Sequence, residues 1–346
     1  MSIKYIGKYL FFALLEIALY ENDRNKMGIR KKSFDECFLA FPETTPPEKF
    51  KKFWQNALDE LKKVPVSPKR KLLIKKSIGL ESRQEITYFG YGTHALQAYL
   101  SIPRKRSKVP AIISFHDYAD TNSFNKIFTE AGFAHLAVIF RGHKKTAFPK
   151  DPQIEVQSPH LIDAYGIETV EESYLYAVIL DAVRSVDLLR LEKEIDSSNI
   201  GIIGNGFGAA AAIFAACLKK ENIQALVLER PGFFWMPVWL KESISMDSKE
   251  LSESLRKSKS RTKTKKNLEL LDAVNLLQEV KIPVMVSACM DDANHPPYPA
   301  FGFFNRLLTE KYMEIYPEEN SDPDQQIQRK KSVEFIKAVI MNRISS

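Results

Sequence analysis

The middle and the end of the chain alternate short apolar runs with longer stretches of helical periodicity. The apolar runs are nearly uniform, which is typical of strands buried on both faces of a parallel sheet. They occur at 109–116, 134–143, 199–204, 223–230 and 282–291. Helical stretches separate them, so the pattern predicts an α/β protein with a mostly parallel central sheet covered by helices on both faces.

Three further stretches extend this pattern. Residues 41–65 predict a turn and then an amphipathic helix, whose apolar side chains recur at helical spacing: Phe50, Phe53, Trp54, Ala57, Leu58 and Leu61. Residues 86–103 predict two antiparallel strands that turn near Tyr91–Thr93. Long helices are predicted at 173–191 and 329–344. We expect residues 1–40 to form a helical extension and residues 41–346 to form a single domain.

The N-terminal segment carries a short apolar stretch, residues 9–20, interrupted only by Glu16. It is too short to span a bilayer, which takes about 20 residues. It also lacks the small-x-small cleavage site of a signal peptide. We predict a helix packed on the protein or on a neighbouring subunit. Contact of this helix with a membrane surface, or a signal or anchor sequence, is the alternative.

Composition narrows the class of protein. The chain is 45% hydrophobic, which excludes global disorder. Its three cysteines are far apart, which argues against a disulfide framework or a zinc site and indicates a cytoplasmic location. The net charge of +7 equals the charge of the run 256–266, which holds seven basic residues and no acid. That run has no aromatic residue to stack on bases, so we interpret it as a solvated loop or helix end, or as a docking patch for an acidic partner.

A glycine-rich corner at 199–218, "NIGIIGNGFGAAAAIFAACL", joins a predicted strand to a helix of small residues. Such a corner carries a nucleophile in the pattern G-x-S-x-G, or cradles a pyrophosphate in the pattern G-x-G-x-x-G/A. Gly204, Gly206 and Ala209 fit the second pattern, and Glu229 at the end of the next strand could hold a ribose hydroxyl. The position of the corner in the chain argues against a dinucleotide site. Such a corner usually lies at the start of its domain, but here two strands and a long helix precede it.

The order of these elements favours the first kind of corner, and several segments carry a family resemblance. "SFHDY" stands at a strand end that reads H-G-Y in the family, and "DDANHPP" matches D-x-x-x-P-P. "YGIETVEESYLYAVILDAVRSVDLL" and "ALVLERPGFF" are similar to two further family segments, and the second of them explains Glu229 without a ribose. From about residue 41 to residue 340 the chain resembles the acetyl xylan esterase and cephalosporin-C deacetylase family of α/β-hydrolases. The resemblance implies an α/β-hydrolase fold.

The resemblance also implies where the catalytic groups would lie. The serine of the family's G-G-S-Q-G elbow falls on Gly206, and its acid falls on Asp292, which would be vestigial. The base should precede the last helix, but residues 315–331 contain no histidine. Backbone N–H groups near Tyr118 and at Phe207 would form the oxyanion hole. Phe207 replaces a glutamine, which implies a more apolar or partly filled cavity.

Other residues could in principle replace the missing groups. Ser114 is expected to point into the sheet. Cys289 lies near Asp292 and His295 in sequence, but nearness within one loop does not make a nucleophile and a base meet across a site. The sequence therefore identifies no replacement nucleophile or base.

No cofactor or metal ion is predicted. The neighbouring pairs His116–Asp117 and Asp291–Asp292 could bind a metal, but nothing in the sequence makes them converge. We interpret His143 as a solvated or hydrogen-bonded loop residue.

The sequence thus predicts an acetyl xylan esterase-like protein that has lost its nucleophile and base. The expected function is non-catalytic binding of a small ester, a sugar-like ligand or a protein partner. The alternatives are an active ester hydrolase, such as a deacetylase of small acetylated sugars, that uses other residues, and a dinucleotide-binding protein. The resemblance further implies a cytoplasmic homo-oligomer.

Overall fold

The computed structural model describes residues 31–74, 81–104, 108–118, 120, 122–143, 168–317 and 326–344. They build one nine-stranded sheet. Its strands are β1 (Lys69–Ile74), β2 (Glu81–Phe89), β3 (Ala95–Pro103), β4 (Val109–Phe115), β5 (Ala134–Ile139), β6 (Ile195–Asn205), β7 (Ile223–Glu229), β8 (Val284–Cys289) and β9 (Lys311–Tyr316).

The sheet has an antiparallel end and a longer parallel part. Across the sheet the strands run in the order β1-β2-β3-β5-β4-β6-β7-β8-β9. The pairings from β1 through β3 to β5 are antiparallel, and those from β5 to β9 are parallel. The predicted α/β class with a mostly parallel sheet is confirmed.

Helices connect and cover the strands. Those in the described residues are α1 (Phe34–Phe38), α2 (Phe50–Lys62), α3 (Lys126–Glu130), α4 (Tyr174–Arg190), α5 (Phe207–Leu218), α6 (Met236–Glu242), α7 (Met246–Lys257), α8 (Arg261–Leu271), α9 (Pro297–Arg306) and α10 (Gln326–Ile344). The predicted amphipathic helix is α2, which buries Phe50, Trp54, Ala57 and Leu61.

The sheet has a hydrophobic core on each face. Every residue of β4 and β8 is buried, as the uniform apolar runs predict. Successive residues of β4 point to opposite faces, so Ile112 packs in one core with Ile336 of α10, while Ile113 packs in the other with Val183 of α4. The carboxyl ends of the parallel strands therefore meet at one edge of a rigid layer, where α/β proteins place their sites.

The antiparallel strands β2 and β3 turn as predicted. Gly92 in the turn has φ +65°, which favours glycine. Just before it, a side chain at Gly90 would overlap the carboxylate of Asp181 from α4. Asp181 accepts the N–H of Tyr91 (2.9 Å) and two hydrogen bonds from Arg141 (2.6 and 2.7 Å). This buried pair ties the antiparallel strands to the helical layer.

The predicted apolar helix at 9–20 lies outside the described residues, and the domain boundary at residue 40 stays a prediction. Helix α1 packs on α9, where the rings of Phe34 and Phe301 meet edge to face at 5.8 Å between centroids. Asn305 donates to the carbonyl oxygens of Phe38 and Ala40, both at 2.9 Å. The basic run 256–266 falls on the end of α7 and on the first half of α8. None of the described helices combines the length and the apolar character needed to cross a membrane.

Candidate functional site

The glycine-rich corner joins β6 to α5 through Gly206. Its φ of 54° and ψ of −119° are strained for any residue with a side chain, and the sharp turn is that of a strand-to-helix elbow. Its N–H donates to the carbonyl of Glu229, and its carbonyl accepts from Gly232, both at 2.9 Å. A Cβ at Gly208 would lie 2.6 Å from the carbonyl oxygen of His116, so α5 begins in direct contact with the end of β4.

The carboxylate of Asp117 occupies the space that a side chain at Gly206 would need. A Cβ built on Gly206 would lie 2.5 Å from Oδ2 of Asp117 and closer still to its Cγ and Oδ1. Asp117 follows the end of β4, which is the parallel neighbour of β6, so the two strand ends bring these residues together. The nucleophile position is therefore filled by a carboxylate from the neighbouring strand.

The two predicted oxyanion-hole amides converge on one oxygen of that carboxylate. The backbone N–H groups of Tyr118 and Phe207 both donate to Oδ1 of Asp117, each at 2.8 Å. This is the arrangement that binds the oxyanion in acyl transfer, with donors 2.7–3.1 Å from the charged oxygen. The oxygen held here belongs to the protein itself.

The second oxygen of Asp117 contacts an imidazole that sequence reasoning missed. Nε2 of His295 lies 2.7 Å from Oδ2 of Asp117. His295 comes from the loop after β8, where Oδ1 of Asp292 accepts the N–H groups of Asn294 (2.9 Å) and His295 (2.8 Å) and so bends the chain back toward the corner. The sequence identified no imidazole at the corner, but the structure places that of His295 there.

A sequence signal for the role of Asp117 exists. The resembled family has glycine where this chain has Asp117, and serine where it has Gly206. The two replacements are reciprocal, because the side chain lost at the elbow makes room for the one gained beside it. His295 escaped notice because the family pattern places the base in another segment.

The environment makes the Asp117–His295 contact an ion pair. Burial alone would lower the pKa of His295, but the charge and hydrogen bond of Asp117, with the charge of Asp292, raise that pKa to about 9. Burial alone would raise the pKa of Asp117, but the His295 charge and the two N–H donors hold that pKa well below its usual range. The pair is an imidazolium and a carboxylate at neutral pH.

The predicted acid, Asp292, is fully buried in the loop that carries His295. Its Oδ2 accepts no hydrogen bond from the described part of the chain and lies 3.6 Å from Nη1 of Arg230. Nδ1 of His295 is likewise buried and without a hydrogen-bond partner among the described residues. The loop after β8 thus carries two buried polar atoms, Oδ2 of Asp292 and Nδ1 of His295, that have no hydrogen-bond partner among the described residues.

Helix α7 adds acidic groups to the site. The hydroxyl of Tyr118 donates to Oε2 of Glu250 at 2.6 Å. Asp247 is buried nearby, and burial, followed by the charge of Asp117, raises the pKa of Asp247 to about 7. The carbonyl of Tyr118 accepts a hydrogen bond from Nε2 of His143 at 2.6 Å. Of the two alternatives given for His143, a solvated or a hydrogen-bonded loop residue, the structure therefore shows the second.

The ring of Phe207 fills apolar space beside the corner. It is buried and contacts aromatic rings at centroid distances of 5.0–6.1 Å, those of Tyr118, Phe140, Tyr174 and Phe233. These rings make the space beside the corner apolar.

The remaining candidates lie apart from the corner or have other partners. Ser114 points into the sheet, where its Oγ lies 2.7 Å from Nε2 of His135. The imidazole of His295 faces Asp117, so the thiol of Cys289 is not its partner. No group of three or more His, Cys, Asp or Glu residues suited to a metal ion occurs in the described ranges.

Glu229 serves the fold. Its two carboxylate oxygens accept hydrogen bonds from Arg329 (2.7 and 3.1 Å) and Ser332 (2.8 Å) of α10. These bonds attach the last helix to β7 and engage both oxygens that a ribose hydroxyl would need. Glu229 is therefore not available to bind the ribose of a dinucleotide.

A nine-stranded, mostly parallel sheet with a strand–elbow–helix corner defines an α/β-hydrolase fold. The chain belongs to the acetyl xylan esterase (AXE1) family, whose model matches residues 32–339.

Known proteins agree with this assignment. The chain is 21% identical over 291 residues to acetyl esterase Axe7A of Xylanibacter ruminicola, covering 81% of this chain but only 64% of that relative. An acetyl xylan esterase from Paenibacillus sp. R4 superposes with a TM-score of 0.76 at 20% identity, covering 89% of this chain and all of the other. Acetyl xylan esterase 1 from Thermoanaerobacterium sp. JW/SL YS485 superposes with a TM-score of 0.75 at 19% identity, covering 88% and 99% of the two chains. At these identities the superpositions establish the fold.

Proposed function

We propose that this chain is a non-catalytic member of the acetyl xylan esterase family, a binding protein that has lost ester hydrolysis. The observation that carries the proposal is the carboxylate of Asp117, which accepts both N–H groups of the oxyanion hole. A substrate carbonyl would have to displace a charged group that is already hydrogen-bonded there.

The chemistry of the corner supports this proposal. Gly206 has no atom that could attack a carbonyl, and loss of the nucleophile of a serine triad costs on the order of a million-fold in turnover. Removing even one donor of an oxyanion hole costs about 100- to 1000-fold, and here both donors are engaged. The two losses together leave no route through an acyl-enzyme.

The ion pair removes the base as well. A general base must be unprotonated near neutral pH and within reach of the proton that it accepts. His295 carries its proton toward Asp117, and its pKa is raised to about 9, against the effect of burial, by the charges of Asp117 and Asp292. An imidazolium cannot activate a hydroxyl or a water molecule.

An assay of the purified full chain with p-nitrophenyl acetate and with acetylated xylan tests the proposal. We expect hydrolysis equal to that of a His295→Gln control at every enzyme concentration between pH 6 and 8. Turnover that rises with wild-type enzyme and disappears in His295→Gln would overturn it and favour an active ester hydrolase.

The sequence expectations about assembly and location accompany this proposal. We propose a homo-oligomer in the cytoplasm, with the basic run 256–266 as a docking patch for an acidic partner. The run supports this by its concentration of charge, because it begins in α7 and continues along α8 on exposed Arg256, Lys257 and Arg261.

A further inference from the structure

We propose that the two oxyanion-hole amides and His295 form a receptor for a small carboxylate anion of the acetate class, and that Asp117 is its built-in ligand. This inference rests on the proposed function, because a working esterase would use the same donors for catalysis. It names the chemical class that the site binds when the Asp117 side chain turns away.

The donors match a carboxylate and no neutral group of similar shape. One oxygen receives two N–H groups, from Tyr118 and Phe207, and the other faces the protonated Nε2 of His295. An ester or an amide offers one strong acceptor oxygen. The second polar atom of an ester is an alkoxy oxygen, which is a weak acceptor. The second polar group of an amide is an N–H donor, which would face the N–H of His295.

The charge of His295 also favours a carboxylate over a neutral group. The side chain of His295 is 4% exposed, so its positive charge is almost entirely removed from water. A buried cation without a counterion is strongly destabilised, and an anion beside it restores the balance. The site therefore favours a negative charge in the place where Asp117 supplies one, because that charge opposes the effect of burial on the pKa of His295.

The size of the site is set by Gly206. A Cβ at this position would overlap the Asp117 carboxylate, so only glycine leaves room for a carboxylate group beside the corner. The atoms of Asp117 beyond its Cα are a methylene and a carboxylate. Acetate has the same four heavy atoms, so it is the free anion that most closely reproduces this group in an Asp117→Gly protein.

Tethering of Asp117 predicts that the wild-type protein is a poor acetate receptor. A ligand attached to its own site acts at a high effective concentration, which a free competitor must exceed. Asp117 also lies beside its donors, since the N–H of the next residue, Tyr118, is one of them. Removal of the side chain uncovers the receptor.

Calorimetric titration of the full-length Asp117→Gly protein with sodium acetate tests the inference, with Asp117→Ala as a second variant. We expect acetate to bind Asp117→Gly with a Kd of about 1 mM, a plausible value for a ligand of four heavy atoms. The wild-type protein should bind at least roughly 100-fold more weakly. Acetamide and methyl acetate at the same concentrations should not bind.

Two matched variants test whether the designated donors bind the anion. Asp117→Asn keeps the shape of the resident group and should exclude acetate, and Asp117→Gly/His295→Gln should lose acetate binding by more than 10-fold. If Asp117→Gly and Asp117→Ala fold only with acetate present, acetate is acting as the missing ligand and the inference stands. Failure of both folded variants to bind acetate, or failure to fold even with acetate, would overturn it.

These results are independent of the esterase assay. The Asp117→Gly protein still has glycine at position 206 and therefore no nucleophile, so acetate binding is measured without turnover. Hydrolysis by the wild-type protein would overturn the proposed function, whereas absence of acetate binding by the variants would overturn only the receptor.

Discussion

At the scale of single residues, the site depends on a reciprocal pair. Gly206 leaves a space at the elbow, and the carboxylate of Asp117 fills it. The same carboxylate then holds His295 as an imidazolium. Two residues at the ends of neighbouring strands thus determine the chemistry of the corner together, and neither can be interpreted alone.

This pairing predicts how esterase activity could be restored. Gly206→Ser alone should stay inactive, because the serine would overlap Asp117. The double variant Asp117→Gly/Gly206→Ser frees the oxyanion hole and places a hydroxyl near Nε2 of His295. We expect hydrolysis of p-nitrophenyl acetate at least roughly 100-fold above either single variant, the range that general base catalysis supplies. Equal rates in all three variants would show that Asp117 is not the block.

The ion pair also predicts a pH dependence of stability. The pKa of His295 is lowered by burial but raised more by Asp117, to about 9, which exceeds its unfolded value of about 6.5. Its contribution is therefore complete below pH 6.5 and is lost as the pH rises through 9. We expect the free energy of unfolding to fall between pH 7 and 9 more steeply in wild type than in His295→Gln, as measured by urea denaturation. Parallel curves would contradict the ion pair.

At the scale of elements, the corner depends on the close approach of α5 to β4. A Cβ at Gly208 would contact backbone oxygens of Phe115 and His116 at 2.6–2.7 Å, and these atoms cannot rotate away. The first turn of α5, and with it the N–H of Phe207, is placed by this contact. The position of the oxyanion-hole donor thus follows from helix–strand packing.

Gly208→Ala tests this packing. In an exposed helix the change stabilises by up to about 1 kcal/mol. Here we expect a destabilisation of about 1–3 kcal/mol, because the helix must shift. Urea denaturation measures the change, with Ala210→Gly on the same helix as a control that loses about 1 kcal/mol through propensity. Stabilisation by Gly208→Ala would contradict the packing argument.

At the scale of the whole molecule, buried ion pairs join regions that are distant in the chain. Arg141 and Asp181 connect the end of β5 with α4, and their side chains are 7% and 1% exposed. Glu229 and Arg329 fasten α10 to β7. Each pair joins a helix to a strand end at the edge that carries the site.

Asp181→Ala should destabilise the whole fold. It leaves the guanidinium of Arg141 buried without its counterion and deprives Tyr91 of its acceptor. Removal of one partner of a buried pair costs about 3–5 kcal/mol. Chemical denaturation measures this loss, and Glu253→Ala, which breaks an exposed pair with Arg256, is the matched control expected to change little. A small effect of Asp181→Ala would show that the pair is not essential.

Features that depend on residues close together in the sequence could be predicted, whereas contacts between distant segments could not. Local patterns predicted strands β2 to β8, the hairpin turn and α2, because apolar periodicity reports burial within one element. The edge strands β1 and β9 were not predicted, because none of their residues is fully buried. The glycine pattern located the elbow, and the family resemblance implied the amides of Tyr118 and Phe207. The contact between Asp117 and His295 was not predicted, because it joins residues separated by 178 positions and depends on a loop shaped by Asp292.

Phe233 packs against both Phe207 and the indole of Trp239, at centroid distances of 5.0 and 4.4 Å. Trp239 is fully buried and thus provides an intrinsic optical reporter two rings away from the corner. With Trp54 and Trp235 changed to phenylalanine, all tryptophan emission would come from this indole. Rearrangement of the corner could then be followed in real time without any attached dye.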